Sequence, residues 1–248
     1  MRNNLLDELS KMKIFTIEDV KRLSNTKKDV LKVILSRWEK NGWIERIEKG
    51  KYMVIPLGTK KGKYTLHEFV LGSMLVRPCI ISYWSALHHH GFTEQIPRTV
   101  FIQTTSRKKH QQLTIFDIAY KIIRLKEEKI FGVDDAWFED IRIRLTNPEK
   151  TIIDCLDKPQ HAGGIIEIAK AIRSEEYDKN ILVEYAKRIH NSGVIRRLGY
   201  ICDRLQIPID LPKIQTKNYL KLDTMLPKNN QLDSKWHLII NEDIGNPE

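Results

Sequence analysis

Long apolar runs are missing from this chain of 248 residues. No stretch approaches the roughly 18 continuous apolar residues that would cross a bilayer, so no membrane span is read from it. Cysteine is scarce: Cys79, Cys155 and Cys202 are odd in number and follow no metal-ligand spacing. That pattern suits buried thiols in a reducing cytoplasm rather than a disulfide framework. Met1 to Lys13 is polar and charged, so no secretory leader is read there and the expected location is cytoplasmic. Also missing are a Walker-type phosphate loop, a nucleophile elbow and a paired-glycine dinucleotide fingerprint. Neither catalytic residues nor a cofactor are expected.

What is present is charge, unevenly placed. Apolar residues make up 41% and charged residues 30%, values of globular proteins, and the length allows one or two domains with cores of their own. The net charge is +10. Residues 1–63 hold 16 Lys and Arg against 8 Asp and Glu, and the remainder holds 26 against 24. A polyanion-binding head on a nearly neutral body has this distribution.

The head is organised around Thr26 to Asn41 and the following Trp43 to Pro56. Thr26 with Asp29 reads as a helix start. Val30, Ile34 and Trp38, widened by Leu31 and Leu35, predict one buried face, and Lys28, Lys32, Ser36 and Lys40 an outward, mostly cationic one. Asn41-Gly42 stops the helix. Trp43 to Ile47 and Tyr52 to Ile55 flank the polar turn Glu48-Lys49-Gly50-Lys51 as a β-hairpin. Asn3 to Met12 reads as a first helix. Thr16, Asp19, Phe15 and Val20 set the cap and staple of a second, which Ser24-Asn25 ends. Three helices and a hairpin outline a winged helix-turn-helix. Lys27, Lys28, Lys32 and Ser36 are placed at the major groove and Arg46, Lys49 and Lys51 on phosphates. Such modules also dock proteins, and surface lysines are commonly just solvated.

Residues 57–63, rich in glycine and lysine, read as a linker. From Tyr64 a second unit begins, with helices over Thr65–Leu75 and Trp84–His90 and a strand over Val100–Thr105. Further β-like runs are Asp117–Leu125, Lys129–Val133, Ala136–Phe138 and Ile141–Leu145. Helices then run from Asn147 through Leu156, to Ser174, from Asp178 to His190 and from Ser192 to Leu205. Two strand-like runs follow, Tyr219–Leu222 and Trp236–Asn241. The expected fold class is therefore α+β: a winged helix-turn-helix (1–56), a linker (57–63) and a mixed α+β C-terminal domain (64–248).

Chemistry-bearing clusters are weak. His88-His89-His90 point about 100° apart on a helix, so they cannot all face one metal, and no metal site is expected. Glu149 and Asp154 lack the convergent spacing of a nuclease. Gly163-Gly164 at a helix start suits either an anion or a tight turn. Arg107, Lys108 and Lys109, and separately Arg188, Arg196 and Arg197, offer a second basic surface for nucleic acid or an acidic partner.

Four stretches taken in order carry a resemblance. They are Gly50-Lys51-Tyr52 leading to Pro56; Ile81-Ser82-Tyr83-Trp84-Ser85-Ala86-Leu87 running to His90-Gly91, with Val100 to Thr104; Asn147 to Cys155 with Gly163-Gly164; and Arg197-Leu198-Gly199-Tyr200. Together they resemble the AbiEi family of antitoxins, the transcriptional-regulator half of abortive-infection (type IV) toxin–antitoxin systems, over roughly residues 5 to 205. The resemblance implies a repressor that binds double-stranded DNA upstream of its own operon, and a C-terminal domain that counters a nucleotidyltransferase-like toxin, directly or indirectly. It implies a role in phage defence and no enzymatic activity. Dimers and cooperative monomers on DNA both remain open. The alternatives are a docking module that captures the toxin with little DNA binding, and a metal-dependent nuclease.

Overall fold

The computed structural model describes residues 2–56, 58, 59, 64 and 66–245, with side chains from Leu5 onward. The head runs α1 (Arg2–Met12), β1 (Ile14–Thr16), α2 (Ile17–Ser24), α3 (Lys28–Lys40), β2 (Ile44–Glu48) and β3 (Lys51–Val54). Local chemistry sets most of these boundaries. The Thr16 hydroxyl accepts from the Asp19 amide at 3.2 Å, and the Asp19 carboxylate accepts from the Thr16 amide at 2.8 Å. This capping box starts α2, with Phe15 and Val20 stapled in the core beside it. Asn25, left-handed at φ 48°, ends it.

The start of α3 differs from expectation. Lys27 is its N-cap and makes no side-chain cap bond, while the Thr26 hydroxyl donates back to the Ser24 carbonyl and Asp29 pairs with Lys32. The buried stripe is Leu31, Leu35 and Trp38, and Val30 lies outside it. Successive helical residues turn by about 100°, so a core centred on Leu31, Leu35 and Trp38 leaves Val30 on the solvent side.

The head sheet has the order β1-β3-β2, all antiparallel. Strand β1 is an addition to the expected hairpin, pairing Ile14 with Met53. Because side chains alternate along a strand, the sheet has two faces, and both are buried. Phe15, Ile44, Tyr52 and Val54 join Leu9, Val20, Leu31, Leu35 and Trp38 in the head core. Ile14, Ile47, Met53 and Ile55 enter a different core, shared with the body.

The body continues with α4 (Glu68–Ser73), β4 (Ile80–Ile81), α5 (Tyr83–His89), β5 (Thr99–Thr104), β6 (Gln112–Ile115), β7 (Ile118–Arg124), β8 (Val133–Phe138) and β9 (Ile141–Thr146). Helices α6 (Pro148–Asp157), α7 (Ile165–Arg173), α8 (Lys179–Arg188) and α9 (Ser192–Arg204) follow, then the short strands β10 (Leu220–Lys221), β11 (Leu232–Asp233) and β12 (Leu238–Ile239). The helix expected over Thr65–Leu75 is shorter, with His67 as its N-cap. The strand expected over Lys129–Val133 is instead the end of a 3-10 turn, an irregular stretch and the first residue of β8.

Strands β4 to β9 form one mixed sheet in the order β6-β7-β5-β4-β9-β8. On one face Val100, Ile102, Tyr120 and Ile122 meet Phe69, Val70 and Leu71 of α4 together with the head's Ile14, Ile47, Met53 and Ile55. On the other, Phe101 and Ile123 meet the core of α6 to α9. The head thus covers part of the body's central sheet. Within the expected linker, Leu57 and residues 60–63 lie outside the described residues. Among the described residues no helix is long and apolar enough to cross a membrane.

Candidate nucleic-acid interface

The outward face of α3 gathers most of the expected head residues. Lys27, Lys28, Lys32 and Ser36 are all exposed, joined by Arg37 and Lys40. Lys32 is tied to Asp29 at 2.9 Å, and that hydrogen bond, with the charge behind it, lowers the Asp29 carboxyl below its usual range. Among the described residues Lys27, Lys28, Arg37 and Lys40 make no ion pair. Arg37 was missed at the sequence level. Once the buried stripe is centred on Leu31, Leu35 and Trp38, the helical phase brings Arg37 onto the face of Val30 and Val33.

The hairpin residues separate. Lys49 is exposed at the turn between β2 and β3. Arg46 is half-exposed, held by Glu39 of α3 at 3.2 Å, with its guanidinium 5.6 Å above the Tyr52 ring. Lys51 turns away from the wing's edge. Its ammonium bonds the carbonyls of Met74 at 2.6 Å and Leu75 at 3.2 Å, and Glu48 at 3.1 Å.

Lys108 reaches the same point from the β5–β6 loop, bonding Glu48 at 3.0 Å and the Leu75 carbonyl at 2.5 Å. Burial pushes the Glu48 carboxyl up, but the hydrogen bonds from Lys108 and Lys51 more than offset it and leave it below the usual range. Lys51 and Lys108 therefore clamp the wing to the body. The exposed Arg107 and Lys109 flank that clamp, so a basic loop distant in sequence lies beside the wing. A second clamp joins the Lys13 ammonium to the Glu139 carbonyl and the Glu139 carboxylate to the His67 amide at 2.6 Å.

The remaining expected surface is corrected. Arg188 is exposed and lies over the Phe131 ring at 4.2 Å. Arg196 and Arg197 are buried, at 3% and 6% exposure. Arg196 donates to the carbonyls of Trp236 at 2.8 Å, Asn218 at 2.7 Å and His237. Arg197 donates to those of Leu222 at 2.9 Å, Leu156 at 3.1 Å and Lys221 at 3.0 Å. Burial, and then the neighbouring Arg196 charge, bring the Arg197 guanidinium down to about 10. These arginines are fasteners for the chain's own tail, which returns over α9 and hides them.

The other sequence landmarks are also internal. Glu149, Lys150 and Thr151 are buried. Lys150 pairs with Asp154, which also accepts from Gln103 of β5 at 2.6 Å. Burial pushes the Asp154 carboxyl up, with Lys150 opposing it. Gly199 lies under the Trp236 ring, where a Cβ would come within 2.3 Å of it. The turn at Gly163-Gly164 does hold an anion, supplied by the chain itself: the Asp223 carboxylate accepts from the Ile165 amide at 2.8 Å. In the histidine run, the His90 ring bonds the Thr146 carbonyl at 2.8 Å and His89 packs on Phe138. Among the described residues no group of three His, Cys, Asp or Glu side chains is arranged to hold a metal ion.

A compact three-helix head closed by a small antiparallel sheet, with its third helix presenting a cationic face, is a winged helix-turn-helix, an architecture of DNA-binding proteins. That same segment carries a similarity: residues 4–55 match the family model described as transcriptional regulator, AbiEi antitoxin. The matched residues span the head from within α1 to just past β3, while the landmarks of the body lie outside them. The chain is also similar to the crystal structure of RV2827C protein from Mycobacterium tuberculosis. The TM-score is 0.65 at 14% identity, over 94% of this chain and 88% of that one, which shows a shared fold across head and body. No curated protein matches the chain.

Proposed function

We propose that this protein is a DNA-binding antitoxin that represses its own operon through the winged head and counters a nucleotidyltransferase-like toxin through the body, without catalysis of its own. The observation that carries this reading is the free cationic face of α3 in a head that matches antitoxin regulators. Lys27, Lys28, Arg37 and Lys40 are unpaired and available to phosphates, and each neutralised phosphate releases counterions. Lys49 extends this footprint along the wing, and Arg107 and Lys109 continue it onto the body. Lys51 and Lys108 serve a different purpose. By clamping the wing to the body they fix the angle at which α3 is presented, so DNA binding and the body's task are carried by one relatively rigid unit.

The testing experiment is a salt titration of the full chain on the DNA upstream of its own gene, against scrambled DNA. The expected result is preference for the upstream sequence, with Lys28→Ala and Arg37→Ala each lowering the slope of log affinity against log salt by about 1. Equal, salt-insensitive or absent binding would remove the repressor reading. Co-purification with the neighbouring gene product in that case would support the docking-module reading. Divalent-metal-dependent DNA cleavage abolished by Asp154→Asn would support the nuclease reading.

A further inference from the structure

The outward face of α3 carries two side chains that electrostatics does not explain. Val30 is 50% and Val33 53% exposed, one turn apart on the same helix face. Both are β-branched, which an exposed helix position does not favour, and neither belongs to the head core. They lie in the N-terminal half of the helix, the part of a recognition helix that reaches base edges. Ser36, Arg37 and Lys40 continue the face toward the C-terminal end, and Lys27 and Lys28 stand at its start.

We propose that Val30 and Val33 read thymine methyl groups on neighbouring base pairs in the major groove. This rests on the DNA-binding reading above. The only apolar group a base pair offers there is the thymine C5-methyl, so an apolar pair ringed by cations matches a thymine-bearing groove. A second copy of the chain fits the face less well, because the same unpaired lysines and Arg37 would meet their equivalents across a self-contact. The base-reading set of α3 is therefore Val30 and Val33, with Ser36 beside them. Lys27, Lys28, Arg37 and Lys40 hold the backbone. The site bound by this protein carries thymines opposite the middle of α3, and cytosine at those positions discriminates against binding.

The test compares the full chain with Val30→Ala and Val33→Ala on the upstream duplex and on the same duplex synthesised with deoxyuridine in place of thymidine. Alanine is a stronger helix former than valine, so both variants are expected to fold, and their melting curves check it. Each contacted methyl is worth roughly a fourfold change in affinity. The expected result is weaker binding of the unsubstituted chain to the uridine duplex, weaker binding of each variant to the thymidine duplex, and a smaller thymidine-to-uridine ratio for the variants. An unchanged ratio would overturn the proposal while leaving DNA binding intact, because effects of uridine on DNA shape act on all three proteins alike. If the chain binds neither duplex, the DNA-binding reading itself fails. If the variants change oligomeric state instead of affinity, the valines form a self-contact and the proposal is wrong.

Discussion

Helices α3 and α9 are each 13 residues long and each carries several basic side chains, yet the two have opposite fates. Three residues of α3 are buried, whereas ten consecutive residues of α9, Gly193 to Cys202, are. One side of α3 packs on the head core and the other meets solvent, so its basic side chains stay exposed, and among the described residues only Lys32 is tied to an acid, Asp29. Helix α9 has the body's helical core on one side and the returning tail on the other. Its two adjacent arginines spend their donors on six backbone carbonyls. Equal charge in sequence is thus solvent-exposed in one place and internal scaffolding in the other. What separates them is whether later chain comes back to cover the helix.

The contrast is broken most severely in the body. Arg197→Ala leaves the carbonyls of Leu156, Lys221 and Leu222 without their donor, and Lys150→Ala strands Asp154 as a buried unpaired charge. Each is expected to cost about 3–5 kcal/mol, read as a fall in melting temperature and denaturant midpoint. Replacing both Lys150 and Asp154 by apolar residues of similar size is expected to restore most of that loss. Gly199→Ala comes next: the new methyl group collides with the Trp236 ring and is expected to cost about 1–3 kcal/mol, checked by the same melts.

On α3 the effects move from stability to affinity. Lys28→Ala and Arg37→Ala are expected to leave the melting temperature in place and to weaken DNA binding at low salt. Asp29→Asn removes a negative charge from the same face and is expected to strengthen DNA binding on the order of threefold. Lys32→Ala, which uncovers Asp29, is expected to act in the opposite direction and more strongly than Lys28→Ala. A melting loss in any of these variants would place α3 with α9 and erase the contrast.

The smallest effect belongs to the clamp. The folded Glu48 carboxyl lies below its unfolded value, held there by Lys108 and Lys51 against burial. Its contribution is therefore complete above the ordinary carboxylate range and fades as pH falls through the folded value. Glu48→Gln is expected to flatten the acid limb of stability against pH below the ordinary carboxylate range, by under roughly 1 kcal/mol for this partly exposed group.

Much of the head was legible in the sequence because its determinants are local. The Thr16–Asp19 box, the left-handed Asn25, Gly42 at φ 73° and the turn at Glu48 to Lys51 each satisfy backbone groups within a few residues. Helix α3 starts one residue later than expected, with Lys27 as its N-cap and the Thr26 hydroxyl donating back to the Ser24 carbonyl outside the helix. The error in the buried stripe hid Arg37 and the two exposed valines. One long-range signal was present in the continuous apolar run Tyr52 to Ile55. An edge hairpin facing water on one side alternates, and an unbroken run marks a strand buried on both faces. Met53 and Ile55 are the half that meets the body.

By itself, the sequence determined a basic winged head ahead of a nearly neutral α+β body, because caps, turns, periodicity and charge counts are properties of neighbouring residues. Only the tertiary structure decided which basic residues are free. Lys51 and Lys108 come together on Glu48 across 60 residues, and Arg196 is covered by carbonyls as far as 41 residues down the chain. The fate of a charge depends on whether a distant segment closes over it and offers acceptors, and no local pattern around the charge records that.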